Sequence, residues 1–297
     1  MGPNTVYPAA ATKIKIGTCG WSYEDWSGAF YPERLAAGQR LEFYARHFDS
    51  VEIDSTFYNA PSPHVVGQWL DAVPDDFVFS AKLSREITHK RKLRHCEGPL
   101  AEFLGALAPL RRKLGCVVVQ LPPFFTPRHD EQALRDFVLG LPHDFRFAIE
   151  FRDPAWNLPR IVHLLEEHRI CWVWNDVTPI EKAQEGAFDF LPRTTDFLYL
   201  RLLGDFEARD TGDFLRVATS TRLLWPRDGS LESWAFKVKQ DLDESGNVQI
   251  CASNQFEGFA PITARRVAAH FGLDIALPTD VEVENRSAED SNQLDLL

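Results

Sequence analysis

Regular alternation of short β-rich segments with stretches of helical period constrains this chain more than any other feature. Eight segments are apolar, rich in β-formers and bounded by Pro, Gly or polar clusters, which marks them as strands. They are Ile14–Cys19, Val51–Tyr58, Phe77–Leu83, Cys116–Leu121, Phe145–Phe151, Cys171–Asn175, Phe197–Leu203 and Val248–Ser253. Between most of them apolar residues recur on one helical face. The sets are Leu41, Tyr44, Ala45 and Phe48; Val65, Val66, Trp69, Leu70 and Val73; Leu100, Phe103, Leu104, Leu107 and Leu114, with Pro99 in the first turn; and Leu134, Phe137, Val138 and Leu141. Ile161, Leu164 and Leu165 follow, then Leu231, Trp234, Ala235, Val238 and Leu242, and lastly Ile262, Val267, Ala268 and Phe271.

Neighbouring strands joined by helices must run parallel, because each return needs a crossover. Eight such units over about 260 residues fit a single α/β domain, a closed (β/α)8 barrel of triosephosphate-isomerase type. An open doubly wound sheet is the alternative. The barrel is expected over 13–277. No amphipathic helix is visible over 177–196, and 204–230 reads as a long connection of the kind that serves as a lid or stays disordered. Pro278–Leu297 carries six acids against one Arg and reads as a flexible tail.

Composition narrows the class of protein. With 44% hydrophobic residues the chain can build a large core, and its net charge of −11 argues against a global grip on nucleic acid. The five cysteines (Cys19, Cys96, Cys116, Cys171 and Cys251) are scattered and form no CxxC pair, as in a reducing compartment. The start, Met1 to Val6, has neither a secretory pattern nor the Ser or Thr of a myristoylation signal, and no apolar run reaches membrane-spanning length. A cytoplasmic protein that does not enter a membrane is expected.

In a barrel the strand ends at the C-terminal face build the site. Period-two reading puts Glu52, Asp54, Thr56 and Tyr58 on the inner face of the second strand, opposite Val51, Ile53, Ser55 and Phe57. Ser80, Lys82 and Ser84 follow from the third strand, Gln120 from the fourth, Glu150 and Arg152 from the fifth. Asn175 or Asp176, Tyr199 with Arg201, and Asn254 or Gln255 complete the ring. Buried charges must be paired, so these carboxylates require Lys82, Arg152, Arg201 or a cation. A stabilising ion-pair network without chemistry is the plainer reading. An oxygen-rich set of Asp54, Glu150 and Asp176 suits Mg²⁺ or Mn²⁺.

Aromatic residues gather on the same loops: Trp21, Tyr23 and Trp26, then Phe124 and Phe125, then Trp156, as stacking walls for a sugar or base. The segment Arg85–His95 holds five Lys or Arg, one acid and two His including His89, and reads as an anion-binding rim or as a solvated helix face. No phosphate-binding glycine loop, GxSxG elbow or HExxH motif is present.

The stretches Ile16-Gly-Thr-Cys-Gly-Trp-Ser-Tyr23, Phe30-Tyr-Pro-Glu33, Val51-Glu-Ile-Asp-Ser-Thr-Phe-Tyr58, Ile87-Thr-His89, Gln120-Leu-Pro-Pro123, Ile149-Glu-Phe-Arg152 with Trp156, and Asn254 through Glu257-Gly258 resemble the YecE-like family, also called the domain of unknown function 72 family. The likeness runs from about Lys13 to Gly272. It implies a barrel of the triosephosphate-isomerase type and no established activity. It also implies a shared role for Glu52, Thr56, Tyr58, Lys82, Gln120, Glu150, Arg152 and Trp156. The chain departs from the family pattern at Asp54 and Ser253, where Asn is the more usual residue.

The chain ends Gln293-Leu294-Asp295-Leu296-Leu297, which is similar to the short bacterial sliding-clamp-binding motif, with Leu297 where Phe is usual. The expected function is a hydrolase acting on a phosphate-containing substrate, with nucleic acid in repair or replication as one candidate. Glu52, Asp54, Lys82, Glu150 and Arg152 would be catalytic, with a divalent metal on Asp54, Glu150 and Asp176. Trp21, Tyr23, Thr56, Tyr58, His89, Gln120, Trp156, Arg201 and Asn254 would bind substrate. A sugar-phosphate isomerase or epimerase and a non-catalytic clamp-associated adaptor are the alternatives.

Overall fold

The computed structural model describes residues 14–177, 191–204, 221–245 and 247–278. Nine parallel strand segments are present: β1 (Ile14–Cys19), β2 (Ser50–Ile53), β3 (Val78–Lys82), β4 (Leu114–Gln120), β5 (Phe147–Glu150), β6 (Cys171–Trp172), β7 (Trp174–Asn175), β8 (Phe197–Leu202) and β9 (Asn247–Ala252). Their order in the sheet is β6-β5-β4-β3-β2-β1-β9-β8-β7. The two ends of that order, β6 and β7, are separated in the chain by Val173 alone. One extended segment therefore pairs with β5 through Cys171 and Trp172 and with β8 through Trp174 and Asn175, and the sheet returns to itself. Val173 holds the junction by donating its N–H to Ile149 O at 2.9 Å. This closure decides for the barrel and against the open sheet.

The helical layer follows the apolar periodicity. Helices α1 (Arg40–Tyr44), α2 (Pro63–Asp71), α3 (Glu97–Leu107), α4 (Pro127–Leu139) and α5 (Pro159–Glu167) lie between successive strands, and α6 (Asp228–Ser245), α7 (Asn254–Glu257) and α8 (Ala260–His270) close the chain. Proline at the first helical position opens α2, α4 and α5, where no N–H is missed. Leu134, Phe137 and Val138 of α4 and Ile161, Leu164 and Leu165 of α5 are buried against the sheet. Most strand ends shift by one or two residues from the sequence reading, and two differences are larger or bear on the site. Leu114 begins β4 instead of ending the α3 face. The second strand stops at Ile53, and Ser55–Phe57 turns into a single 3₁₀ turn.

Among the described residues no helix is long and apolar enough to cross a membrane. Residues 178–190, 205–220, Gly246 and 279–297 lie outside the described residues, and with them most of both long connections and the clamp-like Gln293–Leu297.

Strands β1 and β2 are held at unusually close range. Gly17 sits opposite Ser50, and a Cβ at Gly17 would fall 1.9 Å from Ser50 O. The buried Tyr44 hydroxyl fixes the same junction by accepting from Thr18 N at 2.9 Å and donating to Ser50 O at 3.0 Å. Because the obstacle is backbone inside a closed barrel, Gly17→Ala should destabilise the protein by about 2–3 kcal/mol, read as a lower urea midpoint at unchanged denaturant dependence.

Candidate active site

The strand ends deliver their polar side chains to one cavity of about 670 Å³ at the C-terminal mouth. Its walls include Cys19, Tyr23, Asp54, Phe57, Tyr58, Lys82, His89, Gln120, Arg152 and Arg201. A second hollow of about 770 Å³ lies on the outer layer between α3 and α4, away from the strand ends. The mouth is where the chemistry-bearing residues converge, as expected of this architecture.

The deepest layer is ionic. Glu52 and Glu150 are fully buried, and Arg201 is 2% exposed between them. Arg201 Nη2 donates to Glu52 Oε1 at 2.6 Å, while Nη1 bonds Glu150 Oε2 and reaches Gln120 Oε1 at 3.2 Å. Arg152 Nε bonds the other Glu150 oxygen, and the Tyr199 hydroxyl donates to Glu52 Oε2 at 3.0 Å. Strand pairing explains the convergence: Gln120 lies opposite Glu150 on β4 and β5, while Asn175 and Cys251 flank Arg201 on β7 and β9.

The two glutamates are pushed in opposite directions. Burial raises Glu52 above the usual carboxylate range, against the pull of Arg201, and the nearby Asp54 adds to the rise. Burial would raise Glu150 as well, but Arg152 and Arg201 outweigh it and hold Glu150 below its usual value. Divergent carboxylates in one site are a common basis for dividing acid and base roles. Burial acts to lower Arg201, yet Glu150 and Glu52 carry it well above its ordinary value. Burial, reinforced by Glu52, raises Cys19 well above the usual thiol range, so the thiol on the cavity wall stays protonated.

Above this floor lie the groups that line the open part of the cavity. Lys82 Nζ is 3.5 Å from Asp54 Oδ1 and 4.5 Å from the Phe57 ring centroid. Phe57 packs edge-on against His89 with centroids 5.0 Å apart. Burial, helped by Lys82, Arg85 and Arg152, pushes His89 down to about 4, so it is neutral at pH 7.

Glu52, Asp54, Lys82, Gln120, Glu150, Arg152 and Arg201 thus meet as the strand pattern requires, joined by Tyr23, Tyr58 and His89. Several other expected site residues are placed elsewhere. Trp156 is fully buried, stacked on Phe125 at 5.4 Å, with its N–H donated to Phe125 O. Trp21 packs edge-on against Trp69 at 5.7 Å in the core. Thr56 is buried with its hydroxyl 2.7 Å from Ile53 O and 2.8 Å from Lys82 O, securing the loop that carries Asp54. Asn254 Oδ1 accepts from Trp26 Nε1 at 3.3 Å and Ala260 N at 2.9 Å, a structural clasp.

The expected metal ligands do not converge. The Glu150 oxygens are taken by two arginines, Asp54 faces Lys82, and Asp176 accepts from Leu203 N and Gly204 N at 2.5 and 2.8 Å. Among the described residues no group of three His, Cys, Asp or Glu could hold a metal ion. The basic segment Arg85–His95 is partly neutralised, with two carboxylates set against three of its five cations. Lys90 and Arg91 pair with Glu86, and Arg94 pairs with Asp130 at 2.8 Å. Phe57 escaped the sequence reading because period two was carried past Ile53. Cys19 escaped because a scattered thiol gives no signal of where it faces.

A polar cup over a buried ionic floor, at the mouth of a parallel barrel, defines a protein of the triosephosphate-isomerase-like barrel class with a candidate site at its C-terminal face. The chain belongs to the family described as "Protein of unknown function DUF72", whose model matches residues 15–286. The UPF0759 protein YecE of Escherichia coli K12 is 40% identical over 143 residues, 48% of this chain and 50% of that protein. The UPF0759 protein YunF of Bacillus subtilis 168 is 30% identical over 190 residues, 62% of this chain and 66% of that protein. The chain therefore spans about half to two thirds of the curated relatives it matches. A DUF72 family protein of Thermotoga maritima MSB8 superposes with a TM-score of 0.73 at 26% identity, over 87% of this chain and 99% of that one. A DUF72 family protein of Enterococcus faecalis V583, at 20% identity and a TM-score of 0.70, covers 91% and 100% and shares the fold.

Removing one carboxylate from the floor leaves the arginines undercompensated in a dry site. Glu150→Gln should cost about 3 kcal/mol at pH 7. The folded-state value of Glu150 is lowered, so its contribution is present above the unfolded value and lost as pH falls through the folded one. The gap between wild type and variant in urea titrations should therefore narrow only below the ordinary glutamate range.

Proposed function

We propose that this protein is a metal-independent hydrolase of small phosphate esters, working at the barrel mouth. The observation that carries this reading is the convergence of Lys82, Arg152 and Asp54 on one cavity whose floor charges are already satisfied by one another. Glu52 and Glu150 compensate Arg201 and Arg152, and both Lys82 and Arg152 line the cavity that an incoming anion would enter. Lys82 and Arg152 hold the phosphoryl oxygens and take up the charge that develops on them. Asp54 accepts the proton of the attacking water as its oxygen bonds phosphorus; the ester P–O bond breaks, and the departing alcohol oxygen takes a proton from solvent. The scattered acids support a route that needs no divalent ion, and the chain's net charge of −11 favours a compact ester over a long nucleic acid.

Inorganic phosphate released from a panel of sugar phosphates, nucleotides and aryl phosphates, with and without a chelator, tests this. Lys82→Met and Asp54→Asn should each lower kcat/KM by about 100-fold or more, with the chelator having no effect. Failure of every ester to turn over, or full activity in Asp54→Asn, would remove the hydrolase reading. Interconversion of a sugar phosphate without phosphate release would assign the isomerase alternative in its place.

A further inference from the structure

One lip of the mouth is aromatic on its outer side, and the phosphate chemistry proposed above does not use it. Among the described residues the exposed large hydrophobic side chains are Tyr58, Phe124, Leu139 and Phe236, and the only two aromatic ones near the cavity belong to this lip. Tyr58 is 63% and Phe124 57% exposed, whereas Tyr23 and Phe57 on the cavity wall are half-buried and Trp26, Phe125 and Trp156 are wholly buried. The rings form a chain over three successive loops. Tyr58 meets Phe57 at 5.3 Å, Phe57 meets His89 at 5.0 Å, and His89 meets Phe124 at 6.4 Å, each pair close to perpendicular. Cations sit on the rings: Lys82 lies 4.5 Å from the Phe57 centroid and Lys92 lies 5.0 Å from that of Phe124.

Isolated exposed aromatics need no explanation, but two on one lip beside a polar cleft are a recognised mark of a ligand surface. The packing is edge-to-face throughout, so the lip is braced before any ligand arrives. Uncharged His89 lets a flat ring lie across it without desolvating an imidazolium. The flanking ammonium groups attract an electron-rich ring and an anion alike. Lys82 belongs to both parts of the cup: it touches Phe57 on the lip and lines the cavity with Arg152. A ligand bound by both must therefore carry a planar aromatic group and an anionic group joined by a short polar spacer.

We infer that the mouth selects nucleotides, with phosphate held between Lys82 and Arg152 and the nucleobase stacked on the Tyr58–His89–Phe124 lip. This rests on the phosphate reading of the same cavity and adds its substrate class. The base contributes through stacking, which every base can supply, so the preference is for a base over none and is weak among bases.

Isothermal titration of the full chain with adenosine monophosphate, a pentose phosphate and inorganic phosphate tests it. Adenosine monophosphate should bind about tenfold or more tightly than the pentose phosphate. The double variant Tyr58→Ala/Phe124→Ala should erase that preference. Both side chains are solvent-exposed, so the variant keeps the fold, and an unchanged melting temperature verifies this. Lys82→Met should weaken both phosphate ligands together. Equal binding of the two in the wild type, or a preference that survives the double variant, overturns the inference while the phosphate reading stands. Failure of all three phosphates to bind overturns both.

Discussion

The structure depends on one guanidinium. Arg201 stands inside the barrel, almost without solvent, and its two terminal nitrogens reach Glu52 on β2 and Glu150 on β5. Each of the three charges alone would carry a desolvation cost of several kcal/mol in a dry interior. Together, with Arg152, Tyr199 and Gln120 taking the remaining positions, they are compensated. The fork also joins strands that are not neighbours in the sheet, so the network braces the barrel across its lumen.

The field at the mouth comes from the layer above the network, which the network underlies. Two carboxylates set in opposite directions by their surroundings lie beneath a layer where Lys82, Asp54 and Arg152 face the cavity. Because the floor is neutralised internally, the outer layer keeps its own electrostatic character, with cations near an aromatic rim and a carboxylate 3.5 Å from a lysine. The hydroxyl of Thr56 and the side-chain amide of Asn254, both expected to meet a ligand, instead hold the loops on which this layer stands.

Much of the arrangement was legible before any coordinates. Strand segments and helical faces follow from side-chain periodicity, and the strand ends name Glu52, Lys82, Gln120, Glu150 and Arg201 as inward residues. Where reading failed, a local rule had been extended past its domain. Alternation beyond Ile53 placed Phe57 outside, whereas the chain turns there and brings the ring to Lys82. Loop position made Trp21 and Trp156 look like walls, although large rings on loops often close the core beneath them, as Trp156 does on Phe125. Acid content suggested a metal, but ligation needs convergence, which a list of acids does not encode.

The sequence alone determined the alternation of strand and helix, hence parallel strands, and through period two the set of charged groups that must share an interior. It did so because those properties are local: they depend on residue type and spacing within one element. Only tertiary structure decided how the charges were divided. Whether Glu150 met a cation or two arginines, whether Asp176 faced a site or two backbone N–H groups, and which aromatics kept contact with water all depend on distances between elements far apart in the chain. Such distances are set by barrel closure, which no single segment contains.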